Sequence, residues 1–180
     1  MIKQEIIDSG LIVDILNAKT MEDVFRLLQG CSFLGSFLAY QYTIDMNYSP
    51  YINFSENDFV KAGIGAIRGI KKCFLCYGNK CEDAIWYVKE HFNDLLKRYG
   101  YTSFHPLLGH EPTLIDLQNC FCETDKYLRA KMPELRIGNV RIKQKYMPHT
   151  DPIQFFFPPK WNIVEMYKYK PIVVPTLFDL

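Results

Sequence analysis

The sequence predicts a mainly α protein: a single helical domain over residues 1–134 with a helix-hairpin-helix at its centre, and an extended tail over residues 135–180 packed on it. Three observations carry this. Apolar residues recur at helical spacing through most of the chain before residue 132, and capping residues and glycines punctuate those runs. Pro148, Pro152, Pro158, Pro159, Pro171 and Pro175 then crowd the last part of the chain among aromatics, where fixed φ and missing N–H groups work against regular helix. With 180 residues, 48% of them hydrophobic, the chain can bury a substantial core.

The elements follow in order. Thr20-Met-Glu-Asp23 ahead of Val24 to Leu28 has capping-box spacing, with Asp in place of the usual Glu or Gln, and starts a short helix. From Cys31 to Asn47 the residues Phe33, Leu34, Phe37, Leu38, Tyr40 and Ile44 mark a buried central helix, ended by Asn47-Tyr-Ser-Pro50. Ser55-Glu-Asn-Asp58 caps a further helix through Lys61, and Gly63-Ile-Gly65 turns the chain into a helix over 66–74. Ile85, Val88, Phe92, Leu95 and Leu96 stripe one amphipathic helix over 82–99, closed by Gly100. After the loop Gly109-His-Glu-Pro-Thr113, a helix runs from Leu114 to Lys131 and stops at Pro133. A short helix is expected near 163–169.

Composition excludes disordered and fibrous classes. No apolar run approaches the roughly 18 residues that span a bilayer, and the start MIKQEIIDSG is too acidic for a secretory signal, so an intracellular protein with no membrane partner is expected. Six cysteines in a chain of this size suit reduced thiols better than a disulfide framework. Cys73-x2-Cys76-x4-Cys81 invites a zinc reading, but no second C-x2-C pair completes it, so neither metal nor cofactor is assigned. The near-neutral total charge hides alternating blocks. Residues 1–58 hold 3 basic and 8 acidic groups, 59–81 hold 5 and 0, 82–125 hold 3 and 8, and 126–180 hold 10 and 4. Two basic blocks can converge into a phosphate-binding face, or remain scattered solvated charges.

Three motifs carry candidate chemistry. In Val60 to Gly69 the glycines Gly63 and Gly65 either let backbone N–H groups approach a phosphate or let two helices pack closely. Lys61, Arg68, Lys71 and Lys72 would supply the cations of a DNA-backbone clamp. On the 114–131 helix, Asp116, Asn119, Glu123 and Lys126 share one face. A carboxylate in the first helical turn stays ionised and can stabilise positive charge on a sugar, whereas the structural alternative has Asp116 capping Thr113 and Glu123 pairing with Lys126 or Tyr127. Gln41 and Asp45 stand one turn apart on an otherwise apolar helix, so they need partners or a cleft.

The order of these motifs resembles that of helix-hairpin-helix DNA glycosylases, with more residues between hairpin and aspartate, so that 82–110 reads as an insertion. Phe33 to Gln41, Gly65 to Phe74 and Leu114 to Tyr127 more specifically resemble the α-glutamyl/putrescinyl thymine pyrophosphorylases and the helical domain of 5-hydroxymethyl-deoxyuridine DNA kinases, over roughly residues 22–135. The resemblance implies a DNA-glycosylase-like fold and a duplex DNA partner carrying a modified pyrimidine. It implies a flipped base among Tyr40, Gln118, Lys126 and Tyr127, with Asp116, Gln41, Asp45, Asn119 and Glu123 as the catalytic set. Base excision, a hydrolysis, is the leading expectation because a fixed carboxylate serves it without a metal. Two others are group transfer to the modified base during thymine hypermodification, and a non-catalytic DNA-binding subunit. The family's longer N-terminal half is not recognisable, which implies a minimal version or a second protein subunit that supplies it.

Overall fold

The computed structural model describes residues 3–106, 109–136, 157–161 and 163, and among these the regular structure is helical throughout. A π-helical turn, Lys3–Asp8, leads into α1 (Leu11–Asn17), α2 (Met21–Gln29), α3 (Ser36–Asn47), α4 (Ile64–Cys73), α5 (Glu82–Glu90), α6 (Phe92–Arg98) and α7 (Leu114–Lys131). Short 3-10 turns follow at Pro133–Leu135 and Pro159–Trp161. No helix among the described residues is long and apolar enough to cross a membrane.

Local chemistry sets these boundaries. The Thr20 hydroxyl accepts from the Asp23 amide while the Asp23 carboxylate accepts from the Thr20 amide, both at 3.0 Å, which closes the expected capping box on α2. The Thr113 amide donates to Asp116 Oδ2 at 2.8 Å, which opens α7 in the same manner. The stretch 82–99 is two helices rather than one. It breaks at His91, whose ring stacks on Tyr87 with centroids 4.4 Å apart and approaches the Tyr87 carbonyl at 3.0 Å. The helix expected over 55–61 is also absent: residues 48–63 are irregular, so α4 is entered from turns. Asn47 accounts for this. Fully buried, it accepts from the Phe54 amide at 2.8 Å and donates to the Phe54 carbonyl at 3.2 Å, which folds the chain back on itself where a helix would carry it away.

Met21, Val24, Leu28, Tyr40, Ile70 and Leu114 lie in one continuous core. Phe25, Tyr40 and Phe59 form an aromatic cluster with centroids 5.2–6.5 Å apart that joins α2 to α3. The closest packing is between α4 and α7. A Cβ on Gly69 would lie 2.0 Å from the Phe121 carbonyl oxygen, so the two backbones touch where only glycine fits. Gly63 meets Gln118 and Lys72 meets Asp125, so the helices run parallel and begin at the same end of the molecule.

Beyond residue 136 the tail is described only at residues 157–161 and 163, with a 3-10 turn at Pro159–Trp161. Lys160 Nζ donates to the carbonyls of Asn47 and Phe54 at 3.0 and 3.1 Å, Trp161 packs on the helical body, and Ile163 is buried. The rest of the tail, and most of the helix expected over 163–169, lie outside the described residues.

Candidate functional site

The starts of α4 and α7 meet the first turn of α3, and most of the expected residues lie on these three helices. Gly63 sits between Phe37 of α3 and Gln118 of α7, and its amide donates to Gln118 Oε1 at 3.3 Å. Gln118 is 1% exposed; its Nε2 donates to Asn119 Oδ1 at 2.9 Å, and the Cys122 thiol lies 3.4 Å from its Oε1. Gln41 is half-buried on α3, one turn beyond Phe37, with Asp45 exposed one turn further on. Asp116 Oδ2 accepts from both the Thr113 amide and hydroxyl at 2.8 Å, and no hydrogen bond reaches Oδ1 from the described residues.

Several expected contacts are instead structural. Tyr40 is 2% exposed, inside the core, so neither it nor Gln118 presents a surface to a base. Burial pushes its phenol up, with the charges of Asp116 and Glu82 adding to the effect. Lys72 is withdrawn from the proposed clamp, since its side chain is 2% exposed and lies 2.5 Å from Asp125, itself 3% exposed and 3.1 Å from Arg129 Nε. Two cations share one buried carboxylate there, and a phosphate would have to break the set. Lys61 lies 2.7 Å from Glu82, whose Oε1 also accepts from the Ala62 amide at 3.0 Å. Burial alone would raise the Glu82 carboxyl, yet the Lys61 ammonium and the amides of Ala62 and Glu82 hold it below its ordinary value. Gly63 and Gly65 serve close packing, Gly65 against Cys122, and the Gly63 amide is already spent.

Of the expected clamp cations, Lys71 is exposed and Arg68 half-buried. Arg68 and Lys71 share a face of α4, and neither has an ion-pair partner among the described residues. Glu123 and Lys126 pair with each other at 2.5 Å on the exposed face of α7, and Tyr127 is exposed beside them. Burial holds the thiols of Cys73, Cys81, Cys120 and Cys122 above their ordinary value, which disfavours the thiolate needed for attack or ligation. Among the described residues no group of three or more His, Cys, Asp or Glu side chains is placed to hold a metal ion.

Sequence reasoning missed the other wall of this end. Tyr48 follows α3, and burial, then the charges of Glu56, Asp116 and Asp45, push its phenol up. Glu56 is buried and its Oε2 accepts from Trp161 Nε1 at 2.7 Å. Trp161 stacks on His110 with centroids 3.8 Å apart and meets Tyr48 edge-on at 5.9 Å. Beside them an open cleft of about 530 Å³ is lined by Asn53–Asn57, Gly109–Glu111, Thr113 and Lys160. Glu56, in a segment read as a helix cap, and Trp161, in a proline-rich tail, carry no sequence signal that they meet.

Against this geometry, the family model described as 5-hmdU DNA kinase, helical domain, matches residues 1–137. The chain belongs to that family. The matched region takes in α1 through α7, so the helical domain extends from the first helix, earlier than the resemblance over 22–135 suggested. Membership connects the chain with modified pyrimidines in DNA. No curated protein and no solved structure matches it.

Proposed function

We propose that this helical domain binds duplex DNA carrying a 5-hydroxymethyl-type pyrimidine, with Arg68 and Lys71 on the phosphate backbone and the modified nucleotide received at the end where α3, α4 and α7 meet. The observation that carries the reading is the parallel register of α4 and α7. It sets Arg68, half-buried, and Lys71, exposed, about 7–12 Å along α4 from Gly63, at 1.5 Å per residue, alongside the body of α7. Backbone cations supply affinity without reading sequence, and the polar end supplies selection.

The test is duplex binding across a salt series. Arg68→Ala with Lys71→Ala should weaken binding alike to all sequences and flatten the slope of log affinity against log salt by about one to two units. The preference of the wild-type chain for a 5-hydroxymethyluracil duplex over its thymine counterpart should persist in the variant. An unchanged slope would move the DNA surface away from α4.

Base excision is the second reading, and one observation favours it: Asp116 keeps Oδ1 uncommitted at the start of α7, free to face positive charge on a sugar. A second protein subunit belongs to the same proposal, and Ile7, Val13 and Leu16, all exposed near the start of the chain, are where it would dock.

A further inference from the structure

Three polar atoms of residues lining the cleft beside Trp161 have no partner in hydrogen-bond geometry among the described residues. Glu56 Oε1, Asn57 Oδ1 and His110 Nε2 are all buried with no hydrogen-bond partner, and Glu56 as a whole is 8% exposed. Buried polar groups are nearly always satisfied by protein, ordered water or a ligand, so these atoms are open to a partner the fold does not supply. The indole cannot serve them. It has one N–H, already given to Glu56 Oε2 at 2.7 Å, and no acceptor.

The indole nevertheless shows what shape the slot takes. It is a planar heterocycle, stacked on His110 at 3.8 Å with an interplanar angle of 24°, edged by Tyr48, with a ring N–H aimed at a carboxylate. A pyrimidine has the same flatness and a ring N–H, and adds two carbonyl acceptors. In its 5-hydroxymethyl form it adds an O–H donor as well. Of those groups, the O–H can donate to Glu56 Oε1 or Asn57 Oδ1, and one carbonyl can accept from His110 Nε2 in the tautomer that protonates it. Trp161 also lies outside the 1–137 region that matches the family, so the slot's residues come from the helical domain and its occupant from the segment beyond it. The adjoining 530 Å³ cleft, lined by Glu56, Asn57, His110 and Lys160, is of a size that small-molecule sites use.

We propose that Tyr48, Glu56, Asn57 and His110 form a receptor for an extruded hydroxymethyl-pyrimidine, and that Trp161 occupies it as an intramolecular stand-in which the base displaces. The inference rests on the DNA reading above and specifies where the base goes. It makes the C-terminal segment a competitor: only molecules with the indole out can bind, so apparent affinity is lowered by the fraction in which it is in.

The chain has two tryptophans, so Trp86→Phe, a change on α5 away from the slot, leaves Trp161 as the reporter. Titrating that full-length variant with a duplex holding one 5-hydroxymethyluracil should shift Trp161 emission to the red as the indole enters water, and the thymine duplex should not. In parallel, Trp161→Ala in the otherwise native chain should bind the modified duplex about tenfold more tightly, as expected if the indole is seated about nine-tenths of the time. Preference for the modified duplex with unmoved emission overturns the stand-in and leaves the DNA reading intact. So does Trp161→Ala binding that is unchanged or weaker. If neither the native chain nor Trp161→Ala prefers the modified duplex, the DNA reading falls and takes the slot with it.

Discussion

Asp125 and Asp116 stand on the same helix, nine residues apart, and their surroundings differ in kind. Asp125 is 3% exposed and held by Lys72 at 2.5 Å and Arg129 at 3.1 Å, one turn beyond Phe121, where α4 and α7 approach until only glycine fits between them. Asp116 is half-exposed and spends one oxygen on its own cap with Thr113, which lines the cleft where Glu56, Asn57 and His110 keep unpaired atoms. One end of α7 satisfies its buried charge within the fold, and the other leaves polar capacity unused. Capacity of that kind is available to ordered water or to a ligand.

The sharpest way to break this contrast is at the buried charge. Asp125→Ala should destabilise the chain by about 3–5 kcal/mol, because it leaves Lys72 buried without its anion. The urea midpoint should fall accordingly, with loss of cooperative folding as the extreme outcome. A loss under about 1 kcal/mol would mean that Lys72 reaches water when released, as exposed ion pairs allow. Next in size is Gly69→Ala. The added Cβ would meet the Phe121 carbonyl at 2.0 Å, and since that atom is backbone, the helices must separate. A cost of about 3 kcal/mol is expected, read from the same denaturation curves. An unchanged midpoint would show the α4–α7 contact to be adaptable, which would undo the comparison.

These features were unequally visible in the sequence. The start of α2 was legible because Thr20 and Asp23 do their work within one turn, and α7 was legible because Thr113 and Pro133 bracket it. What could not be read depends on distant partners. Lys72 looks like a surface cation until Asp125 arrives from 53 residues away, and Trp161 reaches Glu56 across 105. The irregular run 48–63 follows from one buried amide, Asn47, whose sequence role looked like that of a helix terminator. α1 was missed because Leu11 to Leu16 is apolar nearly all round, which hides helical periodicity. The candidate site was legible as a set of residue types on α3 and α7, but its second wall was not.

The smallest stability effect belongs to Asp116, and there the comparison becomes a test of function. Asp116→Asn keeps a carbonyl oxygen able to accept from the Thr113 amide, so the α7 cap should lose about 1 kcal/mol or less. Duplex affinity should hardly change, because Arg68 and Lys71 are untouched. If the site excises bases, release of free 5-hydroxymethyluracil, followed by mass spectrometry of the small-molecule fraction, should cease in this variant: an amide cannot offer the negative charge that stabilises an oxocarbenium-like sugar. Release at the native rate would leave Asp116 with its capping role alone. Cessation with binding intact would show that the carboxylate at the open end of α7 serves chemistry, as the one at the buried end serves the fold.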